Sequence, residues 1–171
     1  AIEAIDAHMP VVAAACLPRA TKLDRVVVDD RVGGRMATEH LIACGHTNIA
    51  HIHGGAGAGG RERHAGFRDA MQAIGQSNGR IVGGGFTAEA GAKAAVELTK
   101  DPPTAVVACS DVVAWSAIAE LARHGVRVPH DMSVVGYDNS SIAAPVGDFL
   151  TTIDGDRATL GRRAVDLLVE R

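Results

Sequence analysis

The chain has 171 residues, 47% of them hydrophobic and 22% charged, a balance that supports a buried core and excludes a disordered polar chain. A formal net charge of -3 at pH 7, a sequence pI near 6.2 and no run of five basic residues exclude a surface built by itself to hold nucleic acid. The longest apolar stretches, at 10–17 and 104–109, fall far short of the roughly 20 residues that span a bilayer, so no membrane partner is expected. Cys16, Cys44 and Cys109 are widely spaced and odd in number, which suits neither a disulfide frame nor a zinc knuckle; a reducing cytoplasm is the expected setting.

In chain order, AIEAIDAHMPVV reads as the tail of a helix running into a strand at 10–15, so the chain is expected to open inside a βα unit of a longer protein. Short β-branched runs at 25–29, 48–53, 80–84, 104–109 and 133–137 predict further strands. Between them, Phe67, Ala70, Met71 and Ile74 keep the i, i+3, i+4, i+7 spacing of one helix face, as do Ala114, Ala117, Ile118 and Leu121. A third helix over 88–100 offers small residues, Ala88, Gly91, Ala92 and Ala95, for close packing on a sheet. Gly45, Gly75 and Gly125 stand where left-handed helix C-caps are expected. Runs such as TAVVAC have no polar face, which predicts an α/β fold with a parallel sheet covered on both sides.

In an open parallel sheet, ligands bind outside the carboxyl ends of the strands. Asp29 and Asp30, the glycine-rich loop at 54–60 leading to Arg63, Phe86, Ser110 and Asp111, and Asp138 and Asn139 all follow predicted strands. Carboxylates and a guanidinium fork bind neighbouring hydroxyls, and an aromatic face covers an apolar ring surface, so this set suits a sugar or another small polyhydroxylated or heterocyclic ligand. Taken singly, Ser110, Asp111, Asp138 and Asn139 read first as N-caps and turn formers; their convergence at one edge is what points to a ligand.

Gly55, Gly57 and Gly60 fit G-x-G-x-x-G between a strand and a helix, but the acid that a dinucleotide fold needs at the next strand's end is missing from RIVGGG. A ligand loop is the reading preferred, and no cofactor is expected. His51 and His53 share one side of a strand, with Cys44 and His46 more distant; two ligands do not make a metal site, and none is expected. Neither a G-x-S-x-G elbow nor an H-E-x-x-H helix is present, and no catalytic residue is identified.

Six segments in order, PVVAAA, VVVDDRVGGRMATEHLIACGHTNIAHIHG, RERHAGFRDAM, PPTAVVACSDVVAWSAIAEL, GVRVPHDMSVVGYDN and LTTIDGDRATLGRRAVDLLVER, resemble the LacI/GalR family of transcriptional repressors over nearly the whole chain. The resemblance implies a periplasmic-binding-protein-like core of two subdomains, with residues 1–44 and 152–171 in an incomplete N-terminal subdomain and 45–151 in the C-terminal one. It also implies a helix-turn-helix headpiece and hinge outside this chain, operator DNA reached only through that headpiece, and a homodimer. Effector binding would change the angle between subdomains and so the spacing of two headpieces.

By the same resemblance, Arg63 of R-x-x-G-F and Asp138 of GYD contact the effector, Phe86 falls where some members place an aromatic against the ligand, and Asp111 matches the acid of an N-D pair. Departures are Ser110 for the usual asparagine, GDF before LTT, and Gly155-Asp156 for the usual Q-P. The alternative is a periplasmic-type solute-binding protein serving transport; an upstream helix-turn-helix or an upstream signal peptide distinguishes the two.

Overall fold

The computed structural model describes residues 10–15, 23–76, 79–141 and 150–170. Cys16, the expected helix tail before Pro10 and the GDF segment at 147–149 lie outside the described residues. The chain divides into two compact units, residues 1–29 with 155–171, and residues 30–154.

In the smaller unit, strands β1 (Val12–Ala14) and β2 (Asp24–Val26) pair in parallel, Ala13 opposite Arg25. Helix α5 (Arg157–Val169) packs against both. Asp156 caps α5, its carboxylate accepting from the Thr159 amide at 3.1 Å.

The larger unit is a five-stranded parallel sheet in the order β4-β3-β5-β6-β7, formed by β3 (Ile49–Ile52), β4 (Arg80–Val82), β5 (Ala105–Ala108), β6 (Ser133–Tyr137) and β7 (Thr151–Ile153). Side chains alternate across a strand, so Ile49, Ala105, Val107 and Val135 face one side while Ala50, Ile52, Val106, Ala108 and Val134 face the other. The first side is covered by α1 (Asp30–Ala43) and α2 (Ala58–Ala73) through Ala37, Leu41, Phe67 and Met71. The second is covered by α3 (Ala88–Leu98) and α4 (Asp111–Arg123) through Ala94, Ala95, Leu98, Val113, Ala114, Ala117 and Leu121. Apolar residues on both faces of each central strand follow from this double cover, as the unbroken hydrophobic runs predict.

Helix α1 belongs to the larger unit because it lies against α2 at backbone contact. A side chain at Gly34 would meet the Arg63 carbonyl, and one at Gly66 would meet the Arg31 carbonyl. Only hydrogen at those positions permits this approach. Likewise β7 joins the larger unit by pairing with β6, Gly136 opposite Thr152.

Helices α1, α2 and α4 end alike. Gly45, Gly75 and Gly125 take φ of 92°, 76° and 79°, and their amides donate to the carbonyls of Ile42, Gln72 and Ala122. The next amides, of His46, Gln76 and Val126, reach back to Leu41, Met71 and Leu121. Each end is thus a Schellman motif, as the glycine positions predict. It reverses the chain toward the next strand and leaves the opposite end of the sheet for chemistry.

Candidate functional site

The site grows from the first turns after the strands of the larger unit. Arg63 projects from the second turn of α2, and its side chain is only 12% exposed. Its Nε donates to Asp30 Oδ1 at 2.8 Å, one terminal nitrogen donates to the Cys109 carbonyl, and the other stands 3.5 Å from Asp138 Oδ1. The guanidinium lies 3.6 Å from the centroid of the Tyr137 ring and 5.6 Å from that of Phe86. Burial works against the charge of Arg63, but Asp30, Asp138 and Tyr137 outweigh it, so the pKa rises and the fork stays charged. The structure therefore brings Arg63, Asp138 and Phe86 together, as expected of residues at one sheet edge.

Asp138 follows the last residue of β6 with φ of 112°, and Asn139 has φ of 44°. Two consecutive non-glycine residues in the left-handed region are held there by β7. The Asp138 amide donates to the Ile153 carbonyl at 2.9 Å, the Asn139 amide to Thr152 Oγ1 at 3.3 Å, and Asn139 Nδ2 to Asp154 Oδ2 at 3.1 Å. The turn keeps the Asp138 carboxylate, 31% exposed, at the sheet edge beside Arg63.

Asp111 is placed differently. It is fully buried at the first position of α4, where Oδ2 accepts from the Ser140 amide at 2.7 Å and Ser140 Oγ at 2.9 Å, and Oδ1 accepts from Thr152 Oγ1 at 2.6 Å. It ties the Asp138 turn and β7 to α4. Ser110 caps the same helix through the Val113 amide at 3.4 Å.

The loop at 54–60 is shaped by contact. Gly55 has φ of 80°, its amide donates to His53 Nδ1 at 2.9 Å, and a side chain at Gly60 would collide with the Gly54 and Gly55 backbone. A side chain at Gly54 would meet the Phe86 ring, so the loop forms the bed on which that half-exposed ring lies.

His51 stacks on His64 and Phe67 with ring centroids 5.6 and 5.1 Å apart, and His53 meets His51 and His64 edge-on at 6.0 and 5.1 Å. His51 Nδ1 lies 2.9 Å from the Val107 carbonyl, which only accepts, so Nδ1 carries the proton. Burial first, then neighbouring cationic groups, lower the pKa of His51 to about 3; burial also lowers that of His64. His46 bonds Thr104 and Ser133, both at 3.0 Å, and Cys44 is exposed. Among the described residues no group of three His, Cys, Asp or Glu side chains is arranged to hold a metal ion.

One contributor, Tyr137, was not singled out from the sequence, and another, Asp30, was named there without its partner. Asp30 was legible only as a carboxylate after a strand, since its partner Arg63 is 33 positions away. Tyr137 read as the end of a buried strand. Its two-residue spacing from Val135, on the α1 and α2 side, is the signal that would have placed it under Arg63. Burial pushes the Tyr137 phenol up, and the nearby Asp30 carboxylate adds to this.

Residues 38–171 match the family model of a periplasmic binding protein-like domain. The HTH-type transcriptional repressor PurR of Photobacterium profundum is 36% identical over 159 residues, covering 90% of this chain and 48% of that protein. A LacI transcriptional regulator from a Rhodococcus species superimposes with a TM-score of 0.90 at 39% identity, over 96% of this chain and 63% of that one. A LacI family regulator from Enterococcus faecium, solved with bound ribose, gives 0.89 at 26% identity, over 100% of this chain and 67% of that one. The chain spans about half the length of the curated relatives it matches. It belongs to the periplasmic binding protein-like domain family, as a core of the LacI/GalR type.

Proposed function

We propose that this chain is the sensing part of a transcriptional regulator, which binds a small sugar-like or nucleobase-like effector and couples it to operator affinity through a DNA-reading headpiece. The observation that carries the reading is the constellation of Arg63, Asp138 and Phe86, brought from three separate segments to one edge of the sheet. A charged fork and a carboxylate present directional donors and acceptors to hydroxyl or amide groups, while the Phe86 ring covers an apolar ring face. Arg63, Asp138 and Phe86 contact the effector, and Asp111 acts by fixing the turn that carries Asp138. The proteins matched are regulators, which favours sensing over transport, and the ribose bound to the Enterococcus faecium protein supports a sugar-like effector. On this reading the smaller unit is part of the N-terminal subdomain and the larger unit is the C-terminal one, with bounds at 30 and 154 where 45 and 151 were expected, and the working protein is a cytoplasmic homodimer without enzymatic activity. No helix among the described residues is long and apolar enough to cross a membrane.

The test is operator retention by the regulator that contains this chain, measured with and without a panel of sugars and nucleobases. An effector that shifts operator affinity in the parent protein but not in Arg63→Gln supports the reading. A shift of equal size in both refutes the site.

A further inference from the structure

The hydrogen-bonded network around Arg63 is unevenly charged. Asp30 and Asp138 flank the guanidinium directly, and the turn bearing Asp138 is held by two more carboxylates, Asn139 bonding Asp154 and Ser140 bonding Asp111. Two carboxylates thus flank one cation, whose Nε is taken by Asp30 and one of whose terminal nitrogens is taken by the Cys109 carbonyl, and Asp111 and Asp154 stand one hydrogen bond further out along the Asp138 turn. Gly57 begins α2 without a side-chain cap, but a helix terminus carries only about half a positive charge, too little to offset this network. Where carboxylates outnumber cations, the local field opposes ligands of negative charge.

We propose that Asp30 is a positioning and selectivity residue of the effector site: it holds Arg63 through Nε so that the fork meets a neutral hydroxyl or amide, and it bars anionic, phosphorylated ligands. This rests on the reading of the edge as an effector site and narrows the ligand class to uncharged compounds. Asp30 opens α1, is 6% exposed and meets Arg63 at 2.8 Å, so it sets the plane of the fork from behind.

Inorganic phosphate is the probe, with thermal unfolding of the full chain followed by Trp115 fluorescence and chloride controls at matched ionic strength. Trp115 lies on α4 in the same unit and is the chain's single tryptophan. The parent chain is expected to show no saturable phosphate stabilisation up to about 20 mM. The double variant Asp30→Asn, Asp138→Asn is expected to gain a saturable response at least about tenfold tighter than any in the parent, with Asp138→Asn alone gaining less. Adding Arg63→Gln should abolish the gain. Asp30→Ser, which keeps a short polar side chain at the helix start, replaces Asp30→Asn if circular dichroism shows that the latter does not fold.

Saturable phosphate binding by the parent chain that Arg63→Gln removes would overturn the proposal, as would a double variant no more responsive than Asp138→Asn alone. An effector screen separates this failure from that of the site itself. A phosphorylated effector lost in Arg63→Gln would uphold the site and overturn the selectivity. A neutral effector indifferent to Arg63→Gln would overturn the site.

Discussion

Replacing Asp111 by alanine removes a buried carboxylate that gathers three parts of the larger unit, and the cost follows from its partners. Three donors lose their acceptor at once: the Ser140 amide, Ser140 Oγ and Thr152 Oγ1, at 2.7, 2.9 and 2.6 Å. Hydrogen bonds to a charged group contribute about 1.5 to 3 kcal/mol each, and the desolvation of the carboxylate, regained on its removal, offsets part of that sum. The net expected loss is about 3 to 5 kcal/mol. At about 2 to 4 °C per kcal/mol for a chain of this size, the midpoint of thermal unfolding should fall by roughly 6 to 20 °C. Fluorescence of Trp115 isolates the unit concerned, since α4 carries both residues. Asp111→Asn, which keeps one oxygen acceptor but turns an NH2 group toward donors, should fall between the parent and Asp111→Ala. A loss under about 1 kcal/mol for Asp111→Ala would refute the assignment of Asp111 to the frame of the site.

Two further outcomes follow from the buried groups. Unfolded, His51 takes up its proton near the ordinary 6.5; folded, only near 3, so the unfolded chain binds more protons throughout that range. Its contribution to stability is complete above about pH 6.5 and is lost toward pH 3 at about 1.4 kcal/mol per unit. Denaturant midpoints between about pH 7.5 and 5 should therefore fall less in His51→Asn than in the parent, and equal falls would contradict the assignment. Burial pushes the Cys109 thiol up to about 12, so a thiol reagent should label exposed Cys44 in the native chain and Cys109 only on unfolding; native labelling of Cys109 at the rate of Cys44 would refute this.

What the amino-acid sequence discloses depends on the range of the interaction. Strands β3, β5 and β6 were legible because both faces are apolar, and the three Schellman ends because glycine there has a local conformational cause. Strand β7 was not, since TTI is short and half exposed and gains its place only by pairing with β6. The predicted strand at 25–29 is shorter in the structure, Asp24–Val26, the span over which it pairs with Val12–Ala14. Among the candidate residues, spacing does not distinguish Asp138 from Asp111, for each is an acid within three residues of a strand's end. What differs is three-dimensional: Asp138 is held toward Arg63 by a positive-φ turn, while Asp111 is enclosed by Ser140 and Thr152. The ion pair of Asp30 with Arg63 depends on the glycine contacts that bring α1 against α2.

The most direct test of the effector site is calorimetric titration of Asp138→Ala against the parent protein, using the effector found by the operator screen and circular dichroism to show that both are folded. Removing one partner of a largely desolvated polar contact costs about 2 to 5 kcal/mol, so affinity should fall by a factor of about 30 to several thousand while the fold is retained. Unchanged affinity in the folded variant would contradict the account.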